Sequence, residues 1–152
     1  MIYVLGYKGK SLISRIIRWQ TRSEYSHVSI EIDGENYEAW KDGVISRKWD
    51  QGHAAGTEVV VFEPQGEIVE GLILKALKYQ LGKKYDYKSV IRFLSRRKAQ
   101  LDDRWFCSEL VAWSLAYGGL ILQNMPCSYL SPRDICMSPM LKKIETRIIK
   151  DE

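Results

Sequence analysis

The sequence predicts an α+β fold, and three observations carry that expectation. The first half of the chain is rich in segments that alternate apolar and polar residues. Helical periodicity dominates from Glu67 onward, and a last alternating run near the C-terminus supplies a closing strand. Strands grouped ahead of helices, rather than interleaved with them, point to an antiparallel sheet with helices packed against it.

The elements follow in order. Residues 2–6 alternate as a short strand, and Leu12, Ile13, Ile16, Ile17 and Trp19 fall at near-helical spacing within Lys10–Trp19. The clearest strand is 26–32, with Val28, Ile30 and Ile32 on one face and His27, Ser29 and Glu31 on the other. Asp33-Gly34 is a hairpin signal, and Asn36–Trp40 is the return strand. A two-residue turn there sets Ser29 opposite Glu38 and His27 opposite Trp40, which leaves Glu38 diagonal to His27 on the same face. A three-residue loop would reverse that face.

Val44-Ile45-Ser46 is a further short strand, 50–56 a flexible loop in which His53 is expected to be exposed, and Thr57–Phe62 a β-branched strand closed by Pro64. Helical spacing runs from Glu67 to Leu81 and stops at Gly82. A second helix follows Tyr85-Asp86-Tyr87 through Leu94, and Cys107 to about Tyr117 forms a third, ended by Gly118-Gly119. Ser131-Pro132-Arg133-Asp134 has the form of a capped single turn, and 142–149 alternates as the closing strand.

Composition bounds what such a protein does. With 152 residues, 45% hydrophobic and 28% charged, the chain is expected to form a single domain, 1–152, with a core of its own. No apolar window approaches the roughly 18 residues of a membrane span, so no transmembrane segment is expected. Met1–Gly6 is too short, and lacks the basic lead, for a signal peptide. The expected location is therefore cytoplasmic, unless export follows a route that is not written in the chain. A net charge of +4 is a mild excess. The dense basic run Arg96-Arg97-Lys98, with Asp102-Asp103 close behind, reads as a solvated loop, and no nucleic-acid partner is expected. Three cysteines without a Cys-x-x-Cys pair, and only two histidines, favour neither a disulfide framework nor a structural zinc. Neither a metal nor a cofactor is expected.

The chemistry lies in two distant stretches, Tyr25-Ser26-His27-Val28-Ser29-Ile30 and Trp105-Phe106-Cys107-Ser108-Glu109-Leu110-Val111. A cysteine opening a helix and a histidine on a strand are the parts a thiol nucleophile needs. A helix N-terminus and a neighbouring imidazolium both lower a thiol pKa, so Cys107 is expected to be activated. Glu38 is the first choice to orient the imidazole, with Ser29 and Glu31 on the same face as alternatives. The Cys107 backbone N–H is a candidate oxyanion donor, because first-turn amides lack helical partners. Taken singly, a cysteine in an apolar helix is more often core, and a strand histidine more often structural. Cys127 and Cys136 keep that plain assignment.

Six blocks occur in order: Tyr25-Ser26-His27-Val28-Ser29-Ile30, Tyr37-Glu38-Ala39, Gly43-Val44, Lys84-Tyr85-Asp86-Tyr87, Phe106-Cys107-Ser108-Glu109-Leu110-Val111 and Ser131-Pro132-Arg133-Asp134. Together they resemble the circularly permuted papain-like proteins of the NlpC superfamily, the YiiX-like group. The opening segment Ser11–Arg15 with Trp19-Gln20-Thr21 resembles that group as well, and histidine before cysteine is the permuted order. The resemblance implies a permuted papain-like fold and a cysteine hydrolase, amidase or peptidase, working through an acyl-thioester. It implies Cys107 as nucleophile, His27 as base and Glu38 as the orienting third residue. The implied substrate is a small peptide or amide, cell-wall fragments included. A lipid-directed acyltransferase or thioesterase of the lecithin–retinol acyltransferase-like type is the first alternative, and a non-catalytic binding module the second. The glutamate in third position, where the lipid enzymes often carry a second histidine, favours an amide.

Overall fold

The computed structural model describes residues 1–86 and 104–151. Its strands are β1 (Ile2–Lys8), β2 (His27–Ile32), β3 (Glu35–Trp40), β4 (Gly43–Arg47), β5 (Glu58–Pro64), β6 (Lys84–Tyr85), β7 (Arg104–Trp105) and β8 (Leu141–Ile148). The helices are α1 (Leu12–Thr21), α2 (Glu70–Gln80), α3 (Cys107–Tyr117) and α4 (Pro132–Cys136), with a 3-10 turn at Cys127–Tyr129. Six strands form one antiparallel sheet in the order β4-β3-β2-β1-β5-β8, and β6 pairs in parallel with β7. The mixed α/β architecture with an antiparallel sheet and helices is thus the one expected. The helix expected through Leu94, and the basic run Arg96-Arg97-Lys98, lie outside the described residues.

Local sequence explains the elements that position the site. Asp33 and Gly34 both take positive φ, 50° and 84°, the left-handed pair that a two-residue hairpin turn requires. The register follows: Ile32 faces Glu35, Glu31 faces Asn36 and Ile30 faces Tyr37. Helix α1 starts two residues later than its periodicity suggests because Ser11 caps it, accepting from the Ser14 amide. Helix α4 survives at five residues because Ser131 and Asp134 form a reciprocal capping box with Pro132 at the first position.

Alternation divides the core in two. Val4, Val28, Ile30, Ala39, Val60 and Phe62 face the helical side, where Leu77, Leu110 and Leu115 pack over them. Leu5, Tyr7, Val59 and Val61 face the other way, under Trp49 and Ile149. Leu110 and Leu115 are fully buried, and truncating either to alanine would cost about 2–5 kcal/mol.

Candidate active site

Strand β1 pairs Tyr7 with His27, so the histidine shares the smaller core's face with Tyr7 and Ser29. The hairpin register then carries Glu38 to the same face. His27 Nε2 lies 2.5 Å from Glu38 Oε2, with both side chains fully buried. The diagonal contact expected from the Asp33-Gly34 turn is therefore made.

Two residues absent from the expected set complete the cluster. Arg47, the last residue of β4, donates from Nε to Glu38 Oε1 at 2.5 Å. His53 Nε2 lies 3.0 Å from Glu38 Oε2, and its side chain is only 6% exposed. The expectation of an exposed His53 is corrected here. The 48–57 loop folds back over the sheet and stacks the His53 ring on Tyr7, with centroids 4.4 Å apart. Gly52 makes this possible: its φ is 73°, and a Cβ there would collide with the Arg47 guanidinium. The one signal in the chain was a glycine beside a histidine in a loop too short to wander. Periodicity is silent about loops.

The protonation pattern follows from these bonds. Burial lowers the His27 pKa to about 4, against the opposing pull of Glu38, so the ring is neutral near pH 7. Burial alone would raise the Glu38 carboxyl, but hydrogen bonds from His27 and His53 outweigh it and hold the group ionised. A neutral His27 donates Nε2–H to an ionised Glu38, with Arg47 as the carboxylate's charge partner. The ring's other nitrogen, Nδ1, is then a bare acceptor, and it is buried with no hydrogen-bond partner.

Cys107 is the first residue of α3, as expected, and Phe106 before it is extended. The lead-in is fixed by β7 pairing with β6, by the Asp86 amide bonding to the Trp105 carbonyl at 2.9 Å, and by Trp105 Nε1 donating to Gln80 Oε1 at 2.9 Å. The thiol is fully buried. It faces the backbone amide of Val28, one residue on from His27, and the amides of Ser108 and Cys107 also favour charge on its sulfur. Cys107 packs within the larger core, alongside Val28 and Ile30. No hydrogen bond joins Cys107 to His27.

The expected activation of the thiol is also corrected. Burial pushes the Cys107 pKa up to about 12, and the Glu38 charge pushes the same way, so three helpful amides do not prevail. The helix-end effect is worth fractions of a unit to about one unit, less than full desolvation. The resting pair is a neutral thiol and a neutral imidazole. Cys136 is a buried thiol and Cys127 a half-buried one, and both are free.

His27, Glu38 and His53 also place three potential metal-donor atoms within 4.8 Å of one another. The donor types suit a divalent cation, but the surroundings do not. Arg47 already supplies the positive charge at Glu38, and a metal-bound His27 would need an acceptor for its Nδ1–H, which no described residue supplies. The residues present do not fit a resident metal.

The fold is a YiiX-like one. The chain superposes on the crystal structure titled metalloprotein yiiX from Escherichia coli O157:H7 with a TM-score of 0.73, covering 96% of each chain at 20% sequence identity. No protein-family model and no curated protein matches the chain. Among the described residues no helix is long and apolar enough to cross a membrane.

Proposed function

We propose that the protein is a cysteine hydrolase of the permuted papain-like type, acting on an amide bond in a small peptide or peptide-like conjugate. The observation that carries this is the state of His27. Its Nε2 is committed to Glu38, its Nδ1 is buried and unpartnered, and a thiol at a helix N-terminus lies against the next residue's amide.

The Cys107 thiol gives its proton to His27 Nδ1 as Sγ attacks the amide carbonyl, so the charged pair forms only as the C–S bond does. The oxyanion is stabilised by first-turn amides of α3. The C–N bond breaks, and His27 returns the proton to the leaving amine. Water then hydrolyses the thioester, with His27 again taking a proton, and regenerates the thiol. Glu38 is a positioning residue: it fixes the tautomer and orients the ring, with Arg47 as its charge partner. The yiiX structure is titled a metalloprotein, but a cation here would have to displace Arg47, so activity is expected to survive exhaustive chelation.

Acetyl transfer from p-nitrophenyl acetate tests the assignment. Intact-mass analysis should show an acetyl adduct that Cys107→Ala abolishes and that forms roughly 10²–10⁴-fold more slowly in His27→Ala. An adduct undiminished in Cys107→Ala would overturn the proposal.

A further inference from the structure

A cavity of about 220 Å³ opens beside the cluster, between the start of α1 and the 48–57 loop. Trp40 and His53 form one wall, and these are the rings packed on His27, with centroids 4.4 and 5.1 Å from it. Lys10 and Lys41 line the cavity and no acidic residue does. The Lys41 ammonium sits 5.7 Å from the Trp40 ring centroid, and the Lys10 Nζ lies over Gly56, 3.0 Å from where a Cβ would stand. The N-cap of α1 also lines the cavity, and this ten-residue helix has no acidic residue in its first turn to offset its positive end.

A second observation points to a ligand. Thr57 lines the same cavity, is 1% exposed, and its hydroxyl is buried without a hydrogen-bond partner. Such groups are rare and costly to leave unpaired. The Lys10 ammonium, a helix N-terminus and an unanswered hydroxyl define a site for a small anion. Its volume lies below the roughly 300–1,000 Å³ of drug-sized sites, which suits a single residue rather than a long chain.

The direction of the chemistry says which part of the substrate that residue is. His27 protonates the leaving amine, so the leaving group lies on the histidine's side of the scissile bond. The cavity adjoins His27 through two shared rings. Building on the proposed hydrolase reading, we infer that this cavity binds the free carboxylate of the leaving amino acid. The substrate class becomes N-acyl amino acids and peptides cut at their last bond.

N-acetyl-alanyl-alanine and its C-terminal carboxamide make the test, since they differ only in that charge. Both turnover and the ligand-induced shift in Tm are read, the second without reliance on catalysis. The carboxylate is expected to give kcat/KM about tenfold or more above the carboxamide, in line with a charge-assisted contact. Lys10→Met should remove that preference by slowing the carboxylate alone, and Lys10→Arg should keep it. Thr57→Val should weaken the carboxylate while leaving the free protein as stable or more so, because it deletes an unpaired hydroxyl; a merely structural threonine would not behave in this way. If neither probe is cleaved but the carboxylate alone shifts Tm, in a Lys10-dependent manner, the subsite stands and the hydrolase reading falls. Equal handling of the two probes, an equal loss for both in Lys10→Met, or no binding of either would overturn the subsite.

Discussion

Strand β2 separates two chemical regimes within two residues. On the His27 side, Glu38 accepts from two imidazoles through one oxygen and from Arg47 through the other, so an ion pair is held with its carboxylate fully buried and its guanidinium partly so. At the Val28 amide, the thiol of Cys107 is met by backbone N–H groups, and burial keeps it protonated. The difference shows where the site stores its charge. The permanent pair is Glu38 with Arg47, both hydrogen-bonded; the two groups that exchange a proton are kept neutral. Two uncompensated charges on thiol and imidazole would cost several kcal/mol of desolvation in such surroundings. A neutral pair avoids that cost until a carbonyl is present to accept the sulfur.

The largest break of this contrast is Glu38→Ala. It strands the Arg47 guanidinium, which already has an unpartnered buried Nη2, and leaves two ring N–H groups unanswered. Removing one partner of a buried pair costs about 3–5 kcal/mol. Urea denaturation should therefore show a loss of that size, and a loss below about 1 kcal/mol would mean that water reaches the cluster. Cys107→Ala, by contrast, removes a neutral group and should cost far less.

The second test uses pH. Because His27 titrates near 4 rather than 6.5, the base stays competent well into acid, and the acid limb of kcat/KM is expected near pH 4. A limb at the ordinary imidazole position would show that the ring is solvated in the working enzyme. The fold is linked to the same protons. The unfolded chain binds more protons than the folded one between about pH 6.5 and 4, because His27 is lowered, and Glu38 acts in the same direction at lower pH. Stability should fall as the pH drops through that window. Cys107 acts at the opposite end: its thiol holds its proton to about 12 instead of 9, so stability should fall again as the pH rises between those values. Denaturation midpoints taken across the range test both signs.

How much of this the chain discloses depends on what places each residue. His27 and Glu38 are placed by strand alternation and by a turn whose type Asp33-Gly34 dictates, and both are local properties of a short segment. Cys107 at a helix start is local too, since the apolar run and Gly118-Gly119 bound it. His53 is placed by the 48–57 loop closing over Tyr7, a tertiary event with no periodic signature, whereas Arg47 ends β4 opposite Asn36 and is placed by the register of that strand. The thiol pKa belongs to the same class. Helix position is legible, but the burial that outweighs it comes from side chains far apart in the sequence.

The smallest effect isolates that loop closure. Gly34 and Gly52 both sit at positive φ, 84° and 73°, so an alanine at either carries the same left-handed penalty of about 1–2 kcal/mol. They differ in what the new methyl meets. Around Gly34 there is open space, whereas at Gly52 the methyl collides with the guanidinium of Arg47. Gly34→Ala therefore measures backbone strain alone, and Gly52→Ala measures the same strain plus the displacement of Arg47 from Glu38. The excess loss in Gly52→Ala, read by paired urea titrations, is the worth of that contact to the fold. A reduced rate of acetyl transfer should accompany it, because a Glu38 without Arg47 holds His27 less firmly. If the two variants match in stability and Gly52→Ala keeps full activity, Arg47 is not what keeps Glu38 charged, and the loop contributes His53 alone.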